Sequence, residues 1–254
     1  KFETMLLETT KLPMVKIDRE SFLRKELQDR YTKEIVEKAI QYNPAYAGIC
    51  VEDINKIAKS CITAETMKVS TISATAGLPG GLAIIGTIPA DLAQYFGHIL
   101  RILQKLLYLY GWSDLGLTSR ELNDETMNLL TLFIGVMFGV NGAVGTINKL
   151  AVQVAKQIAK KLPQKALTKG MIYPIVKKIA TLLGIKMTKQ IFAGGVAKVI
   201  PILGAFISGG MTFISFKPMS EKLRKYLETT KLASVEYYKK MSLETIIVEE
   251  TMDI

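Results

Sequence analysis

The chain has a single histidine, His98. It follows Asp91 by seven residues, which is two helical turns on one face, and Gln94 and Arg101 fall beside it. An imidazole held by a carboxylate can take up or release a proton near neutral pH. Asp91, His98 and Arg101 are therefore the candidates for acid–base work. The same three residues equally suit an interior polar cluster that sets how helices pack. Other chemistries find less. Cys50 and Cys61 are the only cysteines. On one helix their Cα atoms would stand roughly 16 Å apart, too far for a disulfide. Two reduced thiols serving as small core residues are expected. With one histidine and no close cysteine pair, neither a zinc nor an iron site is expected, and no cofactor is called for. Ser208 lacks the Gly-x-Ser-x-Gly setting of a nucleophile elbow. The glycine clusters 77–81 and 194–195 lack the phosphate-loop pattern.

The stronger feature is electrostatic. From Thr126 to Ser220 there is no aspartate, glutamate or arginine. The stretch carries twelve lysines: Lys149, Lys156, Lys160, Lys161, Lys165, Lys169, Lys177, Lys178, Lys186, Lys189, Lys198 and Lys217. The formal net charge of +10 is thus regional, and the flanks are close to neutral. A positive block without internal counter-charge repels itself, which favours a negative partner. Lys149, Lys156 and Lys160 form one narrow helical stripe, and Ile147, Leu150, Val154 and Ile158 another. That is an amphipathic helix with ammonium groups on its polar side. A lysine near an anionic leaflet is worth about 1 kcal/mol, so several hold a protein there reversibly. Specific nucleic-acid readout leans on arginine forks and stacked aromatics, so nucleic acid is disfavoured as partner.

These residues must be positioned by helices, because apolar residues recur at helical spacing and rarely alternate. The pattern predicts helices over about 18–42, 48–76, 89–111, 147–162, 164–183 and 189–198. It adds one opened by a Thr118/Glu121 capping box and a charged C-terminal helix that begins after Lys217-Pro218 and ends near 241. The tail from 242 to 254 is acidic. Three stretches, 69–90, 126–148 and 199–216, carry no charge over about the length of a membrane span, but glycine, proline or asparagine interrupts each. They read as buried core helices or as segments that enter a membrane. The hexapeptide Leu-Glu-Thr-Thr-Lys-Leu occurs at 7–12 and again at 227–232. Two copies are no solenoid, and the match reads as coincidence. The composition, 49% hydrophobic and 22% charged with mean hydropathy +0.23, is too charged for a many-span membrane protein.

Two segments carry a resemblance. One is Leu78-Pro79-Gly80-Gly81, then Ile88-Pro89-Ala90-Asp91, then a long helix closing on Leu109-Tyr110-Gly111-Trp112. The other is Lys198-Val199-Ile200-Pro201-Ile202-Leu203-Gly204-Ala205, then Ser208-Gly209-Gly210 and Phe216-Lys217-Pro218-Met219. In this order they resemble the bacterial EcsC family, over residues 78–227. The resemblance implies a mostly helical cytoplasmic protein of bacteria or their phages, named for a gene beside an ABC-transporter pair, with no agreed catalytic activity. The positions it carries over are Gly80, Gly81, Pro89, Asp91, Gly111, Lys198, Pro201, Gly204 and Gly210. Of these only Asp91 and Lys198 can do more than shape backbone, and a buried Asp91–Lys198 pair is expected.

The expectation is an all-α, single domain over residues 1–254 with a glycine-rich helical core and one basic face. The leading function is non-enzymatic: peripheral association with an anionic phospholipid surface or a membrane protein complex, at the inner face of the plasma membrane. The second is an enzyme or lipid-handling protein with an apolar pocket around Asp91, His98 and Arg101. The third is an effector whose uncharged runs insert into a membrane.

Overall fold

The computed structural model describes residues 2–76, 84–85, 88–115, 117, 124–139, 141–159 and 211–242. Over these the fold is all-α. The helices are α1 (Phe2–Thr10), α2 (Arg19–Leu27), α3 (Lys33–Gln41), α4 (Val51–Ala76), α5 (Ala90–Leu109), α6 (Asp124–Met137), α7 (Asn141–Ala159), α8 (Met211–Leu227) and α9 (235–242). Two 3-10 turns, Pro13–Val15 and Lys231–Ala233, follow α1 and α8. Among the described residues the strands are an antiparallel pair of two residues each, Ile84–Ile85 with Ile88–Pro89, leading into α5.

α5 forms the centre because it is apolar almost all round. From Ala93 to Tyr110 only Gln94, Arg101 and Lys105 keep partial exposure. A helix with no free polar face is stable only when surrounded. α1, α2, α4 and α8 touch it, and α8 also packs on α4 and α6, which pairs with α7. Ile54, Ala58, Cys61 and Val69 line the inward side of α4. Ile147, Leu150, Val154 and Ile158 on α7 are all buried, as their spacing requires.

α5 stops in a defined way. The Trp112 N–H donates to the Leu107 carbonyl and the Gly111 N–H to that of Tyr108, the paired bonds of a Schellman motif. Gly111 has φ +94°, and a Cβ there would stand 2.7 Å from Asn43 Nδ2. Both the conformation and the space demand glycine.

Several expectations change. The predicted 18–42 helix is two helices, broken at 28–32. α2 and α3 fold back on each other, held by the Arg24–Glu37 ion pair. The Arg19 guanidinium reaches from α2 to the far end of α3, where it donates to the Ile40 carbonyl at 2.6 Å, and to that of Trp112 at 3.2 Å. A cation suits unpaired helix-end carbonyls. Burial lowers the Arg19 pKa to about 10, which still leaves it charged at neutral pH. Pro218 does not separate two segments but lies inside α8. It faces solvent, where water can meet the carbonyl its ring leaves unpaired. α7 starts at Asn141, earlier than expected, because the turn at Phe138 and Gly139 (φ +80°) already splits the 126–148 run. α1 had no counterpart among the expected helices. The cysteines also divide: Cys61 is buried in the core but Cys50 is exposed. The predicted helices at 164–183 and 189–198, the Thr118/Glu121 box and the acidic tail lie outside the described residues.

Candidate functional site

His98 has a carboxylate partner, and it is Glu65 of α4. His98 Nδ1 stands 2.7 Å from Glu65 Oε1, which also accepts from Arg101 Nε at 2.9 Å. Lys105 Nζ donates to Glu65 Oε2 at 2.8 Å. The Glu65 side chain has no solvent exposure and the His98 side chain 5%. Arg101 also donates to the Met14 carbonyl, so the cluster ties the segment after α1 to α4 and α5.

Local sequence places each member. Gln94, His98, Arg101 and Lys105 recur at four, three and four residues, one polar line along an otherwise apolar helix. Glu65 follows Ile54, Ala58 and Cys61 at the same spacing, on the inward stripe of α4. A carboxylate there costs several kcal/mol unless it is paired. Burial alone would raise the Glu65 pKa. The hydrogen bonds from His98 and Lys105, with the charges of Lys105 and Arg101, outweigh burial and hold it well below the usual carboxylate range. An ionised carboxylate only accepts, so the proton of the shared bond sits on His98 Nδ1. That leaves Nε2, buried and without a hydrogen-bond partner among the described residues.

Among the described residues the arrangement is a buried ion cluster. The carboxylate that meets His98 among the described residues comes from another helix. Arg101 is part of the cluster as expected. The side chain of Asp91 lies outside the described ones, as does Lys198, so the expected Asp91–Lys198 pair does too. Of the other motif positions, Gly111 is described above and Pro89 pairs with Ile84 in the short strands. Gly80, Gly81, Pro201, Gly204 and Gly210 are outside the described residues. No group of three His, Cys, Asp or Glu side chains with metal-binding geometry occurs among the described residues.

A second buried network joins α8 to α4. Arg224, 5% exposed, donates to Glu221 at 2.7 Å and to Glu228 and Asn55 at 2.8 Å each. Tyr110 donates to the same Asn55 oxygen. Every member is satisfied within the network, so it reads as a helix clamp.

Three of the twelve lysines of the acid-free stretch are among the described residues. Lys149 and Lys156 project into solvent from α7, with Gln153 between them, and Lys217 does so from α8. α7 carries no acidic residue to pair with its lysines. Lys160, Lys161, Lys165, Lys169, Lys177 and Lys178 lie outside the described residues, with Lys186, Lys189 and Lys198. Among the described residues no helix is long and apolar enough to cross a membrane. Compared with protein-family models, curated proteins and solved structures, the chain matches none.

Proposed function

We propose that the protein docks reversibly on an anionic phospholipid surface through the lysine face that starts on α7, and that it catalyses no reaction. The observation that carries this reading is the division of labour on α7. Its apolar stripe is spent on the core, and its exposed side offers Lys149 and Lys156 with no acid among them. The surrounding acid-free sequence extends the same charge to twelve lysines. Contact of this kind is electrostatic and leaves the core intact. The closed state of His98 fits a structural cluster better than a ligand mouth. The EcsC resemblance belongs to the same proposal, since it implies a mostly helical bacterial protein with no agreed catalytic activity, of a family named for a gene beside an ABC-transporter pair.

The test is sedimentation of the full chain with vesicles of phosphatidylglycerol and phosphatidylcholine, wild type against Lys149→Gln/Lys156→Gln. The two exposed lysines contribute about 1 kcal/mol each, so the variant binds about tenfold or more weakly. Equal binding by both proteins would remove α7 from the contact.

A further inference from the structure

A groove of about 480 Å³ lies between the turn that joins α3 to α4 and the last described helix, α9. Its floor is aromatic. The rings of Tyr46 and Tyr238 meet edge to face with centroids 5.5 Å apart, and Tyr42 lies 4.7 Å from Tyr46. Asn43 holds this floor in place. Its amide nitrogen donates to the Tyr238 hydroxyl at 2.8 Å, and its oxygen accepts the Tyr46 N–H at 2.6 Å. Val235 adds apolar wall, and Gly48 (φ +91°) leaves one side open, since a Cβ there would meet nothing within 4 Å.

The rim is positive. Lys38 of α3 and Lys239 of α9 border the groove, both exposed, and no acidic residue lines it. The Lys38 ammonium sits 5.1 Å from the Tyr46 ring centroid. It rests on a π face, which leaves its charge available to an anion. Neither lysine is in an ion pair among the described residues. A volume of this size falls in the range that takes a small molecule, ~300–1,000 Å³, and an apolar floor with a few convergent charges sets orientation.

We propose that this groove binds a small phosphate-bearing amphiphile, its phosphate between Lys38 and Lys239 and its apolar part on the Tyr46–Tyr238 floor. The site lies outside the acid-free block, so it stands or falls separately from vesicle docking by α7.

The experiment is calorimetric titration of the full chain with monomeric dihexanoyl phosphatidate, hexyl phosphate, inorganic phosphate and dihexanoyl phosphatidylcholine. Phosphatidate or hexyl phosphate should bind saturably and at least about tenfold tighter than inorganic phosphate or the zwitterionic lipid. Tighter binding of phosphatidate identifies a lipid headgroup as the source, and equal binding of hexyl phosphate a soluble phosphomonoester. Lys38→Gln/Lys239→Gln should lose about tenfold or more in affinity with an unchanged helical spectrum. Lys38→Arg/Lys239→Arg and Lys149→Gln/Lys156→Gln should retain it. Three results would overturn the proposal: no saturable binding, inorganic phosphate or phosphatidylcholine binding as tightly as phosphatidate, or full affinity in the Lys38→Gln/Lys239→Gln protein.

Discussion

Glu65 is the residue on which the interior turns. It is a full negative charge without solvent, made tolerable by three nitrogen donors from one face of α5. Removing its charge leaves Arg101 and Lys105 facing each other in a poorly solvated site, so Glu65→Gln should lose about 3–5 kcal/mol of stability, measured by urea unfolding at pH 7. The sign of the pH effect follows from the depressed pKa. Below the ordinary value of 4.5 the unfolded chain binds a proton at Glu65 that the folded chain does not. The contribution is complete above that value and drains away as pH falls below it, so wild type should lose stability steeply in acid and Glu65→Gln much less. A parallel decline in both proteins would mean that Glu65 is not the titrating group. The cysteines give a simpler check. Burial pushes the Cys61 thiol up to about 12, so its thiolate fraction at pH 8 is roughly 10⁻⁴, while Cys50 is exposed. A disulfide reagent should titrate one thiol quickly and the second only on unfolding, and two fast thiols would place Cys61 at the surface. The sequence offered His98 and Arg101 but not Glu65, because spacing reveals neighbours within a helix and not across 33 residues. The usable signal for Glu65 was a lone carboxylate on the apolar stripe of α4.

At the scale of elements, helix faces were legible and helix ends only partly so. α4 and α5 fall close to where periodicity and Gly111 put them. The faces of α7 follow from spacing alone. The break at 28–32 was hidden because Leu23, Leu27, Tyr31 and Ile35 keep a four-residue rhythm straight through it. Pro218 misled in the opposite direction, since an outward-facing proline can stay inside a helix. The repeated hexapeptide turns out to have a local meaning. In both copies the second threonine sits just past or at a helix end and donates to the carbonyl of the first leucine, Thr10 to Leu7 at 2.7 Å and Thr230 to Leu227 at 2.8 Å. Each copy also leads into a 3-10 turn. Similar local chemistry closes α1 and α8 alike. The sharpest test at this scale is Gly111→Ala. The left-handed conformation alone costs about 1–2 kcal/mol, and the contact with Asn43 adds to it. Thermal unfolding should fall accordingly, whereas an unchanged midpoint would mean that the α5 end does not need glycine.

The whole molecule separates its charges in two ways. Inside, anion and cation are matched at Glu65 and around Arg224. Along the sequence, Thr126 to Ser220 carries lysine without any acid, and the three of these lysines that are described, Lys149, Lys156 and Lys217, are exposed. The first arrangement holds helices together; the second has no counterpart within its own stretch and calls for one elsewhere. The charge asymmetry was fully legible in the sequence, because it depends only on residue counts. Its counterpart was not, because a lysine carries the same charge whether it meets lipid, protein or water. The most direct measurement of the central claim is the salt dependence of binding to phosphatidylglycerol vesicles. Exposed charges are screened over about 10 Å at 0.1 M salt and about 3 Å at 1 M. Binding should rise with anionic lipid content and be lost as salt is raised. Binding that persists at 1 M salt, or that ignores lipid charge, would contradict that claim.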